Sequence, residues 1–108
     1  MNPIHHRQGD LLFIRFTGKA PMKAKENPLG RVLALGEATG HSHAVEEPDL
    51  ANADVYLDAQ GRLVVRVKRG ESATVRHEEH GAVELDGGTW EVRRQREYQP
   101  SGWTQVAD

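Results

Sequence analysis

The chain has 108 residues, which is enough for one domain with its own core and too few for a second one. Lys and Arg number 14 and Asp and Glu 16, so the formal net charge is -2, and this weak charge does not indicate a nucleic-acid-binding surface. The absence of cysteine excludes disulfides and thiolate metal sites, leaving nitrogen and oxygen as metal ligands. We expect a single domain over residues 1–108. With neither a signal-like N-terminus nor a segment that could span a bilayer, we expect it to be cytoplasmic and unconnected with a membrane.

Apolar and polar residues alternate along most of the chain, which is typical of half-buried strands. Short strands are predicted at 10–16, 30–37, 54–57, 62–68, 73–76, 82–85 and 89–98. Glycines indicate turns at 58–61, 69–72 and 86–88. Residues 17–29 carry two prolines and three lysines without an apolar period, which predicts a long surface loop, a single helical turn or a lid. Seven to eight short strands in so small a domain predict an all-β barrel or two-sheet sandwich.

Four of the six histidines lie in two clusters, His41-Ser42-His43 and His77-Glu78-Glu79-His80. On a strand His41 and His43 project from one face, whereas His77 and His80 converge only if the segment HEEHG is a turn between two strands. Imidazole pairs from two segments can hold a divalent metal ion, zinc or iron, manganese or nickel. We therefore predict a metal site formed by His41, His43, His77 and His80. His5 and His6 are expected to lie in a flexible terminus.

The run His41-Ser42-His43 with Glu47 resembles the HxHx3E metal motif of the cupin superfamily, small β-barrels that hold iron, manganese, nickel or zinc. The family's second motif, Pro-x-Gly-x-x-His, is matched only by residues 86–91, which lack its proline and histidine. The resemblance implies a jelly-roll barrel, Glu47 as a further candidate ligand, a later histidine supplied by His77 or His80, and pairing into a homodimer. The phrases GEATGHSHAVE, HEEH and RQREY are also similar to a set of small uncharacterised bacterial and phage proteins.

The last predicted strand suggests a substrate-binding face. Its alternation places Trp90, Arg94, Arg96 and Tyr98 on one side. Arg94 and Arg96 are suited to bind a carboxylate or phosphate, and Tyr98 can donate a proton or hydrogen bond to the same ligand. The alternative is that these arginines form cross-strand ion pairs on a solvated sheet. Trp90 is expected to pack in the core or at its rim.

These features predict a small metal-dependent enzyme that hydrolyses or hydrates a small anionic substrate, with Glu78 or Glu79 as general base. Four histidines around zinc would make a closed structural site, whereas a six-coordinate metal would keep open positions. One alternative is a metal-independent ribonuclease-like enzyme, which would bind nucleic acid and use a histidine acid and base with Arg and Tyr contacts to phosphate. The other is a non-enzymatic adaptor or metal-sensing module of a phage or mobile element.

Overall fold

The computed structural model describes residues 5–35 and 41–94, together with the backbone of residues 96–99 and 102–105. Its elements, in chain order, are β1 (His5–Gln8), β2 (Leu11–Arg15), β3 (Lys23–Glu26), β4 (Val32–Leu35), β5 (Ser42–Val45), a 3-10 helix (Glu47–Ala51), β6 (Ala53–Asp58), β7 (Leu63–Arg76), β8 (Val83–Arg94), β9 (Arg96–Gln99) and β10 (Gly102–Gln105).

One antiparallel sheet contains the first eight strands. Its main order is β1-β2-β8-β7-β5-β4, with β6 paired to β7 and β3 paired to β6. Strand β7 pairs with β6 through its first half and with β5 near its end, so the sheet curls into a half-barrel. The prediction of a small all-β barrel-like domain is confirmed, and the barrel takes the form of a half-barrel made by this eight-stranded sheet. Strands β9 and β10 pair separately. No helix in the described part of the chain is long and apolar enough to cross a membrane.

Two predicted hairpin turns are wrong, because the chain continues through them as strand. Residues 69–72 lie within β7 and residues 86–88 within β8. The register changes between the pairs Val67↔Gly88 and Ser72↔Asp86, so that residues 68–71 lie opposite Gly87 alone in a large bulge. A Cβ at Gly87 would lie 2.8 Å from the carbonyl oxygen of Lys68. Glycine is needed here for close backbone approach and not for a chain reversal.

His5 and His6 were expected to lie in a flexible terminus, and this prediction is wrong. Both residues belong to strand β1. A two-residue turn, Gly9-Asp10, joins β1 to β2, with Gln8 paired to Leu11. Gly9 has φ +58°. The first residue of a two-residue hairpin turn needs a positive φ, which glycine adopts without strain. The predicted loop over 17–29 also contains regular structure, since Lys23–Glu26 form the exposed strand β3.

Two other turns are confirmed. The chain reverses at Asp58–Gly61 between β6 and β7, and the segment HEEHG lies between the end of β7 and the start of β8. Trp90 is fully buried, as its predicted core position requires, and packs in a cluster that draws on strands from both ends of the sheet: Leu11, Phe13, Leu33, Val45, Val65, Val75 and Leu85. This core is the rigid support beneath the histidine segments.

Asp58 gives the β6–β7 turn a dependence on pH. Its Oδ1 accepts the N–H groups of Gln60 and Arg62, each at 2.9 Å, and its Oδ2 accepts Arg62 Nε at 2.7 Å. Burial acts to raise the pKa of this carboxyl, but the hydrogen bonds from Arg62 and Gln60 outweigh it and hold the pKa below the usual range.

Because the pKa of Asp58 is lower in the folded than in the unfolded chain, its stabilisation is complete above the unfolded value and is lost as the pH falls through the folded one. We expect Asp58→Asn to lower the free energy of unfolding at pH 7 and to flatten its dependence on pH in the acid range below about pH 4. Urea unfolding across pH 2–7 measures this. The exposed Asp54→Asn is the control, and parallel curves for wild type and Asp58→Asn would contradict the assignment.

Candidate metal centre

The pairing of β5 with β7 brings the two histidine segments together. Ala44 pairs with Arg76 and Val45 with Val75, and continuing this antiparallel register places His43 opposite His77 and His41 opposite Glu79. The contacts agree with it: the rings of His43 and His77 are 4.3 Å apart between centroids, and His41 Nδ1 lies 3.2 Å from Glu79 Oε1.

The four histidines form one group, here called the histidine cluster (His41, His43, His77 and His80). His77 is at its centre, with ring centroids 5.5 Å from His41 and 4.6 Å from His80. His43 and His80 are 6.4 Å apart, with planes only 8° from parallel. His43 is fully buried and His77 is 8% exposed. The structure thus brings together all four predicted ligands.

The buried amide of Gln8 determines the protonation of His43. Gln8 Nε2 donates to the carbonyl oxygens of Val75 and Gly81, both at 2.9 Å. The amide nitrogen is therefore fully used as a donor, and Gln8 Oε1, 2.9 Å from His43 Nδ1, is an acceptor. Nδ1 of His43 must carry a hydrogen. Its Nε2 lies 3.4 Å from Asp10 Oδ1, and a histidine whose Nδ1–H is bound to an oxygen is typical of metal sites.

His77 is held in a different way. Its Nδ1 accepts the backbone N–H groups of Glu79 at 3.1 Å and His80 at 3.2 Å, which closes the HEEHG turn. In a neutral ring the proton then lies on Nε2. His77 is therefore the member of the histidine cluster least suited to bind an ion, because it would have to give up either this proton or its turn contacts.

Glu78 and Glu79 tie the turn to β5. The Glu78 carboxylate accepts the N–H of Ser42 at 3.1 Å from both oxygens. The Ser42 N–H, followed by the N–H of Glu78 itself, lowers the pKa of the Glu78 carboxyl. Ligand atoms of His41, His77 and Glu78 lie within 4.8 Å of one another. Because His77 Nδ1 accepts two backbone N–H groups and its Nε2 then carries the ring proton, we regard the group of His41, His77 and Glu78 as a weaker site than its distances suggest.

Asp10 is a site residue that the sequence analysis missed. Its carboxylate is 2% exposed, with Oδ1 3.4 Å from His43 Nε2 and Oδ2 accepting Arg94 Nε at 2.8 Å. The Gly9-Asp10 dipeptide is a recognised hairpin signal, so the turn was detectable in the sequence. That this turn would contact His43 was not.

His80 contacts the same turn. Its Nε2 is buried and, within the described part of the chain, makes no hydrogen bond. A Cβ at Gly9 would lie 2.7 Å from His80 Nε2 and Cδ2 and 3.4 Å from His43 Cε1. Both rings therefore pack against a position that only glycine can fill.

A cleft of about 320 Å³ borders the outer side of the cluster, and we call it the His77 cleft. Its lining includes His77, Glu78 and Ser42, together with the guanidinium groups of Arg31 and Arg76. Arg31 Nη1 donates to the Val45 carbonyl oxygen, and Arg76 forms an ion pair with Glu46. Glu46 also lines the cleft, so its charged side chains are two arginines and two glutamates, and the cleft reaches the cluster at His77.

The remaining predicted residues lie at varying distance from this group. Arg94 binds Asp10 and donates to the Leu35 carbonyl oxygen at 2.6 Å. It therefore links β8 to β4 and holds the Asp10 carboxylate in place. Glu47 is exposed at the start of the 3-10 helix. The side chains of Arg96 and Tyr98 lie outside the described residues. The substrate-binding and catalytic roles expected of Arg94, Arg96 and Tyr98 stay predictions.

Replacing Gln8 by methionine tests the amide contact. Gln8→Met keeps the length of the side chain but leaves the Val75 and Gly81 carbonyls and His43 Nδ1 without this partner, and we expect a loss of about 2–5 kcal/mol in the free energy of unfolding. Chemical denaturation measures it. The exposed Gln60→Met is the control, with an expected change within about 0.5 kcal/mol. Equal effects of the two variants would contradict the role given to Gln8.

Replacing Gly9 by alanine tests the packing of the turn against His80. Gly30 has nearly the same backbone conformation, φ +63° against +58°, but an added Cβ there has no neighbour within 4 Å. Gly30→Ala should cost about 1–2 kcal/mol from backbone strain, and Gly9→Ala about 1 kcal/mol or more beyond that, because the His80 ring must move. Thermal and urea unfolding compare them. If the two losses are equal, the contact with His80 carries no energy.

Comparison with known proteins gives one match. A family model described as a domain of unknown function (DUF8820) covers residues 7–95, which include every described residue of the site. No curated protein and no solved structure matches the chain. The resemblances to cupins and to small bacterial and phage proteins therefore stay predictions.

Proposed function

Because the chain belongs to the DUF8820 family, a domain of unknown function, its role must be argued from its own side chains, and we propose that it is a metal-dependent enzyme of small anionic substrates. In this proposal the histidine cluster holds a divalent ion, zinc or iron, manganese or nickel. The single observation that carries the proposal is the convergence of four imidazoles from two segments, with His43 already oriented by Gln8 to present Nε2.

The chemistry would be that of hydrolysis or hydration, since a bound divalent ion lowers the pKa of its water towards about 7. The chain supplies the remaining parts. Gln8 and the HEEHG turn hold the rings in place, and the His77 cleft gives a substrate access from the outer side. Arg31 lines this cleft and can attract a carboxylate or phosphate group, whereas Arg76 is paired with Glu46.

The carboxylates of the turn differ in their suitability as general base. Glu78 has a lowered pKa and accepts the Ser42 N–H with both oxygens, so it is a weak base with a structural task. Glu79 is about half exposed and contacts His41, so it can reach a substrate or water at the surface of the cluster. We therefore assign the base to Glu79.

The metal-independent ribonuclease alternative fits the burial less well. It needs two imidazoles that reach the phosphate of a bound RNA, but His43 is fully buried and His77 is 8% exposed. His41 is more accessible, with 26% of its side chain exposed. The distribution of exposure favours a metal held beneath the surface.

Metal analysis of tag-free protein tests the proposal. We expect about one zinc or cobalt ion per chain after loading and gel filtration, and its loss in both His43→Ala and His80→Ala, because each removes an imidazole of the site. The matched control is His5→Ala, which alters an exposed histidine of β1 and should keep the ion. Far-UV circular dichroism checks that the variants fold.

Turnover separates the proposed enzyme from its alternatives. We expect the metal-loaded protein to hydrolyse phosphate or carboxylate esters. A chelator should abolish this activity, and adding the ion back should restore it. RNA cleavage that survives the chelator would support the ribonuclease instead. Stoichiometric metal without turnover on any ester would support an adaptor or metal-sensing module.

A further inference from the structure

We infer that Asp10 is a metal ligand, and that the ion binds between Asp10 Oδ1 and His43 Nε2. The inference rests on the proposed function and changes its ligand set, from histidines alone to histidine and carboxylate. It brings a third segment of the chain, the β1–β2 turn, into the site.

The first argument is the separation of the two atoms. Oδ1 of Asp10 and Nε2 of His43 are 3.4 Å apart, which is beyond the usual range of about 2.7–3.2 Å for an N–H···O hydrogen bond. Two ligands of a tetrahedral ion with bonds of about 2.0–2.2 Å are themselves about 3.4 Å apart. The spacing fits an ion bound by both atoms better than a proton shared between them.

The other polar atoms of His43 and Asp10 already have hydrogen-bond partners. His43 Nδ1 is committed to Gln8 Oε1, and Asp10 Oδ2 to Arg94 Nε. Within the described residues Asp10 Oδ1 makes no hydrogen bond although it is buried. Leaving such an oxygen unsatisfied is costly, and a cation is the partner that a buried carboxylate oxygen and an imidazole nitrogen can share.

The third argument is the support behind these atoms. A ligating histidine normally donates its other N–H to an oxygen, and a ligating carboxylate is itself hydrogen-bonded. Gln8 does the first for His43 and Arg94 does the second for Asp10. His80 Nε2, buried and in contact with Gly9, adds a second imidazole beside the same turn.

The consequence concerns the kind of site. A ligand set of histidine and carboxylate suits iron and manganese as well as zinc. Four histidines around zinc would instead make a closed, structural site. With Asp10 as ligand, His77 is free to keep its contacts in the HEEHG turn.

The test is a titration of the full-length, metal-free chain with Co²⁺, followed by visible absorption, with competition by Zn²⁺. We expect Asp10→Asn to weaken Co²⁺ binding more than about 100-fold, because losing a group that only orients a ligand costs about 10–100-fold, and to change the absorption bands. The chain offers a closely matched control in Asp58, which is 5% exposed and pairs with Arg62 as Asp10 pairs with Arg94. Asp58→Asn should destabilise the fold yet change Co²⁺ affinity less than about twofold, since it lies in the β6–β7 turn.

The outcomes are distinguishable. If Asp10→Asn binds Co²⁺ as the wild type does, while His43→Ala does not, the inference is overturned and the metal function stands. If the wild type binds neither Co²⁺ nor Zn²⁺, both fall. Should Asp10→Asn fail to fold, Asp10→Glu decides, because a longer ligating carboxylate must alter the Co²⁺ absorption bands and an unchanged spectrum would overturn the inference.

Discussion

The site depends on one buried side chain, Gln8. Its amide donates to the carbonyls of Val75 and Gly81 and accepts from His43, so it joins β1 to β7, to the loop before β8 and to β5. These contacts satisfy backbone groups at the end of β7, where the ladder with β8 gives way to the HEEHG turn. They also fix which nitrogen of His43 carries a proton. Fold and chemistry are thus coupled through three hydrogen bonds.

That coupling divides the histidine cluster into two parts. On the outer side His77 and Glu78 accept backbone N–H groups and shape the turn, beside a cleft that carries two arginines. On the inner side His43 and Asp10 face each other with their remaining polar atoms already engaged. A metal ion held on the inner side would lie behind the cleft wall, where a low dielectric strengthens its effect on a bound ligand.

Local patterns were sufficient to predict some parts of this arrangement. The glycine after HEEH is a short-range signal, and the turn it implies is confirmed. The turns predicted from the glycines at 70 and 87 are wrong, because glycine is common in both bulges and hairpin turns. Whether a bulge or a hairpin forms there depends on how the long strands β7 and β8 pair. Gln8 and Asp10 were missed because their partners are remote: Gln8 binds Val75 across 67 residues and Asp10 binds Arg94 across 84. Nothing in the sequence around Gln8 or Asp10 indicates that its side chain bonds to a residue so far along the chain.

The most direct measurement is anomalous diffraction from crystals of the zinc-loaded or cobalt-loaded protein, collected at the metal absorption edge. The account predicts one strong peak about 2.0–2.2 Å from both His43 Nε2 and Asp10 Oδ1, with Gln8 still bound to His43 Nδ1. A peak only at the outer trio of His41, His77 and Glu78, or a proton-mediated contact between Asp10 and His43 with metal elsewhere, would contradict it.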